Sequence, residues 1–194
     1  MLTVAWDVDD VLNDLMRSWL ERGWKRIHPD CAISYEDLRE NPPHRLLSCS
    51  MEEYLQSLDA FRLSEGDQLR PHSTVMQWFQ SHGGRCQHIA LTSVPVRCAP
   101  VSAAWVMRHF GQWIRSFHFV PSSRNGDDSP AYDTSKASFL SRSHAADVLV
   151  DDNEGNLRDV SALGLKVIPM PAPWNSVSGS MEDALAGLTE FIGI

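Results

Sequence analysis

The sequence lacks a long hydrophobic run, because none of its apolar stretches approaches the roughly 20 residues that a membrane-spanning helix needs. The N-terminus has no basic region followed by an apolar stretch, so we expect no secretory signal peptide. The hydrophobic fraction of 43% and the charged fraction of 22% are ordinary for a globular protein. We therefore expect a soluble protein whose 194 residues form one compact domain, or a core domain with a modest insertion.

Cysteine is scarce, and no two cysteines have the Cys-x-x-Cys spacing of a zinc or redox site. The four cysteines are Cys31, Cys49, Cys86 and Cys98. A chain of this size can bury enough apolar surface to fold without disulfides. The sequence therefore predicts reduced thiols and a cytoplasmic protein.

Positive charge is also in short supply, since 17 Lys and Arg residues face 25 Asp and Glu residues, which gives a formal net charge of −8. This balance disfavours the binding of a long nucleic acid through its phosphates. It still allows a small phosphate ester to bind if a metal ion and a lysine reverse the sign of the charge locally. The eight histidines show no metal-ligand spacing, so we expect them on the surface or in the core.

Short apolar, β-prone segments alternate with helical patterns along most of the chain. The predicted strands are residues 2–6, 87–91, 116–120, 146–150 and 165–170. The predicted helices are residues 75–82, 101–110, 135–143, 156–163 and 181–192. This alternation predicts an α/β fold, a Rossmann-like parallel sheet flanked by helices on both faces.

Residues 13–70 do not fit the alternation, because helical patterns follow one another there without a convincing strand between them. We therefore predict a core domain of residues 1–12 and 71–194, with residues 13–70 as a small helical cap inserted after the first strand. A further segment, residues 122–133, is rich in Ser, Asn, Gly, Asp and Pro and predicts a mobile loop.

Carboxylates cluster at the ends of two predicted strands. Asp7 and Asp9 follow the first strand, two residues apart, so their side chains can approach the same small volume. Like charges that close shift each other's pKa, which suits a site where one carboxylate attacks and its neighbour shuttles a proton. Asp151 and Asp152 end another strand. If the two strands are adjacent, the four acids need a divalent cation, and we expect Mg²⁺ because it prefers hard oxygen ligands.

Donors for a phosphate group end a third predicted strand and begin a predicted helix. Thr92 and Ser93 supply hydroxyl and backbone N–H donors, and Lys136 supplies a positive charge. Ligands of parallel α/β sheets bind outside the carboxyl ends of the strands, so all these groups can belong to one site. Each feature alone also fits ordinary turn or capping chemistry, and it is their combination and order that favour a catalytic site.

With these four motifs in this order, the sequence resembles the haloacid dehalogenase-like (HAD) superfamily. The matching segments are Asp7-Val8-Asp9-Asp10-Val11-Leu12, Leu91-Thr92-Ser93, Lys136 and Leu149-Val150-Asp151-Asp152. The resemblance implies a HAD-like core and a magnesium-dependent phosphoric monoester hydrolase that works through an aspartyl-phosphate.

The resemblance also implies a role for each residue. Asp7 is the nucleophile and a Mg²⁺ ligand, and Asp9 is the general acid/base, whose backbone carbonyl also binds the metal. The residues that hold the phosphoryl group are Thr92, Ser93 and Lys136, of which Thr92 and Lys136 count with Asp7 and Asp9 as catalytic. Asp151 completes the metal site, with Asp152 close behind it.

Within the superfamily, the sequence is most similar to the 5′(3′)-deoxyribonucleotidase-type branch, which has a short helical cap directly after the first motif. The similarity lies in the sequence of residues 7–12 and in the Pro173-Trp174-Asn175 segment. It is incomplete at Asp10, where glycine is more usual in the superfamily. The implied partner is a small phosphorylated metabolite or nucleotide, and a 5′-nucleotidase is one expectation.

Three other functions remain open. A phosphomutase returns the phosphoryl group to a sugar, and a non-catalytic protein of this fold only binds phosphate. A receiver-like phosphoryl-accepting domain uses similar groups in another order, with its acidic pair first and its lysine last. Here the acidic pair, Asp151-Asp152, follows Lys136.

Overall fold

A five-stranded parallel sheet forms the centre of the protein in a computed structural model, which describes residues 1–125, 130 and 132–193. The strands are β1 (Thr3–Trp6), β2 (Gln87–Val94), β3 (Ile114–Pro121), β4 (Val148–Asp151) and β5 (Lys166–Pro169). Their order across the sheet is β3-β2-β1-β4-β5, and every neighbouring pair is parallel. β1 therefore lies between the two strands that carry the other predicted strand-end residues of the site.

Helices connect the strands and begin where the sequence supplies caps. The α-helices are α1 (Leu15–Ser18), α2 (Lys25–Ile27), α3 (Met51–Glu65), α4 (Ser73–His82), α5 (Ala99–Phe110), α6 (Lys136–Ser143), α7 (Glu154–Ser161) and α8 (Met181–Ile192). A π-helical segment, Trp19–Trp24, joins α1 to α2. The hydroxyls of Ser50, Ser135 and Ser180 each accept a backbone N–H of the first turn of α3, α6 and α8, respectively, which stabilises the start of each helix.

Alternate residues of β1 face opposite sides of the sheet, and each side has its own apolar core. Val4 and Trp6 belong to the larger core, which includes side chains of α4, α5 and α8. Ala5 belongs to a smaller core with Leu140 of α6 and Val160 of α7. Helices thus cover both faces, and the predicted α/β, Rossmann-like fold class is confirmed.

Between β1 and α4 the chain forms α1 to α3 and no strand, and this stretch is described in full. A single antiparallel bridge between Asn13 and Pro71 brings its two ends together beside the sheet. The helical character of residues 13–70 is as predicted, whereas their separation as a cap domain stays a prediction. Of the predicted loop at 122–133, residues 126–129 and 131 lie outside the described residues.

The structure also describes the cysteines and the hydropathy of the helices, on which the composition led to expectations. All four cysteines are free thiols, and the cytoplasmic location stays a prediction. Among the helices of the described residues, none has the length and hydropathy needed to cross a membrane.

Phe79 lies in the larger core beneath β1. It is fully buried, and its ring packs against those of Trp6 and Phe110 at centroid distances of 4.8 and 5.0 Å. We expect Phe79→Ala to lower the free energy of unfolding by about 3–5 kcal/mol, because it removes apolar contacts and leaves a cavity. Chemical denaturation measures the loss, with Phe191→Ala on an exposed part of α8 as the control. A loss for Phe79→Ala as small as that of the control would contradict this packing.

Candidate active site

The register of the sheet brings the ends of β1 and β4 level with the middle of β2, which continues to Val94, so Thr92 and Ser93 lie within β2 and not after it as predicted. Trp6, the last residue of β1, pairs with Ala90 of β2 and with Val150 of β4. The backbone N–H of Asp7 donates to the carbonyl of Val150 at 2.9 Å, so Asp7 continues this pairing. Asp7 therefore stands beside Asp151 at the end of β4, as the strand-end pattern predicts.

Lys136 places a buried ammonium between these two carboxylates. It is the first residue of α6, and its Nζ lies 2.8 Å from Asp7 Oδ1 and 2.7 Å from Asp151 Oδ2. The Lys136 side chain is fully buried. Although burial alone lowers the pKa of Lys136, the charges of Asp151 and Asp7 outweigh it and raise the pKa. Lys136 is therefore held in its charged form.

The acidic residues outnumber this single ammonium. Asp7, Asp151 and Asp152 are buried, and each offers a carboxylate oxygen, these atoms lying within 4.8 Å of one another. Burial, with the charges of Asp151 and Asp9, raises the pKa of Asp7 to about 7 against the opposing effect of Lys136. Burial and the charge of Asp151 also raise the pKa of Asp152. A divalent cation would relieve this repulsion, and buried carboxylate oxygens are ligands that fit the predicted Mg²⁺.

The two residues of the acidic pair have different neighbours, which the sequence did not distinguish. Besides the ammonium, Asp151 accepts from the backbone N–H of Asn153 at 2.8 Å and from the side-chain amide of Asn156 at 3.1 Å. Asp152 instead accepts the indole N–H of Trp174 at 2.8 Å and lines a cavity beside Asp7 and Lys136. Asp152 is thus the member of the pair whose side chain reaches the cavity.

The Asp9 carboxylate is held by a residue that sequence analysis missed. Arg62 of α3 donates to Asp9 Oδ2 through Nη2 at 2.9 Å and through Nε at 3.3 Å. The other oxygen, Oδ1, accepts from the side-chain amide of Asn13 at 3.2 Å. Arg62 lies 53 residues after Asp9, so no local pattern pointed to this pair.

Arg62 also belongs to a group of three arginines around one buried carboxylate, the Asp59 cluster. Asp59 of α3 accepts from Arg62 at 3.2 Å, from Arg97 at 3.0 Å and from Arg124 at 2.7 Å, and its side chain is 1% exposed. Burial alone would raise the pKa of Asp59, but the arginines, Arg124 first, hold it below its usual value. Arg97 follows β2 and Arg124 follows β3. The Asp59 cluster therefore connects α3 to the sheet.

Asp10 takes the backbone conformation that explains why glycine is more usual at this position. Its φ is 62°, in the left-handed region that most side chains disfavour. Aspartate tolerates this region when its short side chain bonds locally. Here Asp10 Oδ1 accepts the backbone N–H of Met16 at 2.9 Å. The turn after β1 therefore includes a left-handed residue without using a glycine.

These groups surround one cavity of about 270 Å³. The predicted site residues that line it are Asp7, Asp9, Thr92, Ser93, Lys136 and Asp152. The Thr92 hydroxyl is buried and has no hydrogen-bond partner among the described residues. Buried hydroxyls normally have a hydrogen-bond partner. The unpaired Thr92 hydroxyl in the cavity wall is therefore suited to donate a hydrogen bond to an oxygen of an anionic ligand.

Comparisons with known proteins find solved structures of the same fold. No protein-family model and no curated protein match the sequence. A protein from Lactobacillus delbrueckii subsp. bulgaricus, provisionally assigned as a phosphoglycolate phosphatase, is 12% identical with a TM-score of 0.63 over 99% of each chain. A HAD-superfamily hydrolase of subfamily IA, variant 1, from Geobacter sulfurreducens is 13% identical with a TM-score of 0.58, covering 100% of this chain and 97% of its own. A provisionally assigned β-phosphoglucomutase from Thermotoga maritima is 19% identical with a TM-score of 0.57, covering 98% of this chain and 99% of its own.

At these identities the similarity shows the fold. The chain has the α/β architecture of HAD-superfamily hydrolases over nearly its whole length, as the sequence motifs predict. The deoxyribonucleotidase-type branch stays a prediction from the sequence.

Lys136 is paired with two buried carboxylates, so we expect its loss to lower the stability of the protein strongly. Lys136→Met should lower the free energy of unfolding by about 3–5 kcal/mol, because it leaves Asp7 and Asp151 without their buried counter-charge. The double variant Lys136→Met/Asp151→Asn should recover part of this loss, since it removes one of the unpaired charges. Urea denaturation in metal-free buffer compares the wild type, Lys136→Met, Asp151→Asn and the double variant. A double variant that loses the sum of the two single effects would contradict the pairing.

Proposed function

We propose that the protein is a phosphatase that hydrolyses a small phosphate monoester through an aspartyl-phosphate on Asp7. The observation that carries the proposal is that Asp7, Asp9, Thr92 and Lys136 line one cavity. They supply a nucleophile, an acid/base and two donors for phosphate oxygens. Catalysis of phosphoryl transfer consists mostly of positioning the reactants and stabilising the negative charge of the phosphoryl group. These four residues can do both. The fold shared with HAD-superfamily hydrolases supports the same function.

Two chemical steps follow from these groups. In the first, the Asp7 carboxylate attacks phosphorus, and the bond to the leaving-group oxygen breaks as Asp9 gives that oxygen a proton. In the second, Asp9 takes a proton from water, whose oxygen attacks the phosphorus of the phospho-aspartate. The bond between the Asp7 oxygen and phosphorus breaks, which releases inorganic phosphate and restores the Asp7 carboxylate. Lys136, the Thr92 hydroxyl and the Ser93 backbone N–H hold the oxygens of the phosphoryl group that do not react.

Magnesium is the proposed cofactor. Asp7, Asp152 and the backbone carbonyl of Asp9 would hold it, with Asp151 behind them. This reverses the expectation from the sequence, in which Asp151 completes the site and Asp152 lies behind it, because Asp152 is the member of the pair that lines the cavity. When bound, Mg²⁺ compensates the negative charge of the phosphoryl group and the carboxylates. Asp151 accepts from Lys136 and so keeps the ammonium beside Asp7.

The proposed substrate is a small phosphorylated molecule. The more specific proposal is a nucleoside monophosphate. A cavity of about 270 Å³ is near the lower end of small-molecule sites, which start at about 300 Å³. Among the described residues that line the cavity, one is aromatic, Tyr54. Residues 13–70 would form the cap that closes over the site, excludes water and selects the leaving group.

A phosphomutase is the alternative within the same chemistry, and the similarity in fold to the provisionally assigned β-phosphoglucomutase supports it. Such an enzyme forms the same phospho-aspartate but returns the phosphoryl group to a sugar phosphate instead of water. A receiver-like or non-catalytic protein would instead keep or bind phosphate without turnover.

Phosphate release from nucleoside monophosphates, sugar phosphates and an aryl phosphate, with and without Mg²⁺, tests the proposed phosphatase. We expect Mg²⁺-dependent release that falls by more than about 1,000-fold in Asp7→Asn, because an amide is a poor nucleophile. Asp159→Asn, which removes an exposed carboxylate of α7, should keep the wild-type rate. Full activity in Asp7→Asn would exclude Asp7 as the nucleophile. A wild-type protein that releases phosphate from no substrate would exclude a phosphatase, and isomerisation of a sugar phosphate would establish a mutase.

Magnesium binding can be measured without turnover. Mg²⁺ should raise the unfolding temperature of the wild-type protein, because a ligand that binds only the folded state stabilises it, by about 2.7 kcal/mol at a concentration 100 times Kd. Asp152→Asn should abolish this shift, since it removes a charged ligand from the proposed site, whereas Asp159→Asn should retain it. Calorimetric titration gives the affinity, and an unchanged affinity in Asp152→Asn would remove Asp152 from the metal site.

A further inference from the structure

Arg62 lines the cavity but takes no part in the chemical steps above. Its side chain is 14% exposed, and two of its nitrogens, Nη2 and Nε, donate to Asp9 Oδ2. A third nitrogen, Nη1, donates to Asp59 Oδ1 at 3.2 Å. The planar guanidinium is therefore fixed on two sides, by a carboxylate of its own helix and by the carboxylate after β1.

The Asp59 cluster gives Arg62 a rigid support. Asp59 Oδ2 accepts from Arg97 at 3.0 Å and from Arg124 Nε at 2.7 Å, so Asp59 is tied to the segments after β2 and β3. Charge-assisted bonds of this kind are shorter and stronger than neutral ones. Arg62 consequently has little freedom to move relative to the ends of the strands.

The contacts of Asp9 distinguish its two oxygens. Oδ2 receives both bonds from the Arg62 guanidinium. Oδ1 accepts one bond, from the Asn13 amide at 3.2 Å, and keeps a second lone pair for a further hydrogen bond. Arg62 and Asn13 together therefore fix the orientation of the carboxylate.

We infer that Arg62 is a positioning residue for Asp9: it fixes Oδ2 and so holds the carboxylate in the orientation from which Asp9 exchanges a proton with the leaving group and with water. The inference rests on the proposed function, because it assigns Asp9 as the acid/base. In the first step Asp9 gives its proton to the leaving-group oxygen as the bond between that oxygen and phosphorus breaks. Arg62 stays protonated throughout and touches no reacting atom.

Leaving groups of different acidity test this role. Expulsion of an alcohol needs a proton from Asp9, whereas nitrophenolate is stable enough to leave without one. In single-turnover reactions with Mg²⁺, we expect Arg62→Met to slow release of an alcohol from its phosphate ester by about tenfold or more, the scale of effect that misplacing a catalytic group produces. Release of nitrophenolate from its ester should change far less, and Arg62→Lys should restore part of the alcohol rate.

A matched control is Arg22→Met, because Arg22 also pairs with a carboxylate of α3, Glu65, but lies on a more exposed surface with a side chain 42% exposed. This variant should behave as the wild type with both esters. Equal slowing of both leaving groups in Arg62→Met would overturn the inference and assign Arg62 a structural role. A raised KM with unchanged rates would overturn it in favour of substrate binding. If the wild type releases phosphate from no ester, the proposed function itself fails, a result distinct from either of these.

A double-mutant cycle tests the Arg62–Asp9 pair without any turnover. Urea midpoints are compared for the wild type, Arg62→Met, Asp9→Asn and the double variant. We expect the double variant to shift the midpoint by clearly less than the sum of the single variants, because each single substitution already breaks the same bond. Additive shifts would contradict the pairing on which the inference depends.

Discussion

The buried ammonium of Lys136 is the interaction on which the site depends. It lies within 2.8 Å of Asp7 and Asp151, the residues that follow β1 and end β4, and so it joins two neighbouring strands and α6 through charge. A lysine is unfavourable at the first position of a helix, because the N-terminal end of the helix dipole is positive. Its place there makes sense through the two carboxylates, which keep it charged despite burial. The stability of this end of the sheet is thereby linked to the groups proposed to perform the chemistry.

The cavity lies between two groups of paired charges, one with an excess of negative charge and the other with an excess of positive charge. On one side, Asp7, Asp151 and Asp152 outnumber the ammonium of Lys136, which suits a divalent cation. On the other side, the Asp59 cluster places three guanidinium groups around one carboxylate and extends to Asp9 through Arg62. Buried charges are costly unless they are paired, so each group fixes the positions of its members. This arrangement also explains how a chain of formal charge −8 can offer a local site for a phosphate ester.

Sequence patterns predicted the core well because a parallel sheet has strong local signals. Its strands are short apolar runs, and the ends of β1 and β4 are marked by polar residues, Asp7 and Asp151, that share one edge of the sheet. Thr92 lies beside them although β2 continues to Val94. The Asp59 cluster carries no such signal, since its arginines come from three separate segments and resemble ordinary surface residues in the sequence. The different neighbours of Asp151 and Asp152 were equally hidden, because adjacent residues at a strand end differ only in the direction of their side chains.

Holding Asp9 from α3 instead of from the sheet has a physical consequence. The chemical groups of the core, Asp7 and Lys136, are positioned by strands and by α6, and the ion pairs and hydrogen bonds described for them come from these elements. The Arg62 bond to Asp9 forms only while α3 stays in register with the segments after β2 and β3, because hydrogen bonds weaken steeply with distance and misalignment. Under the proposed chemistry, nucleophilic attack and proton transfer therefore have separate structural supports. A change in the helical segment can alter proton transfer to the leaving group while the nucleophile stays in place.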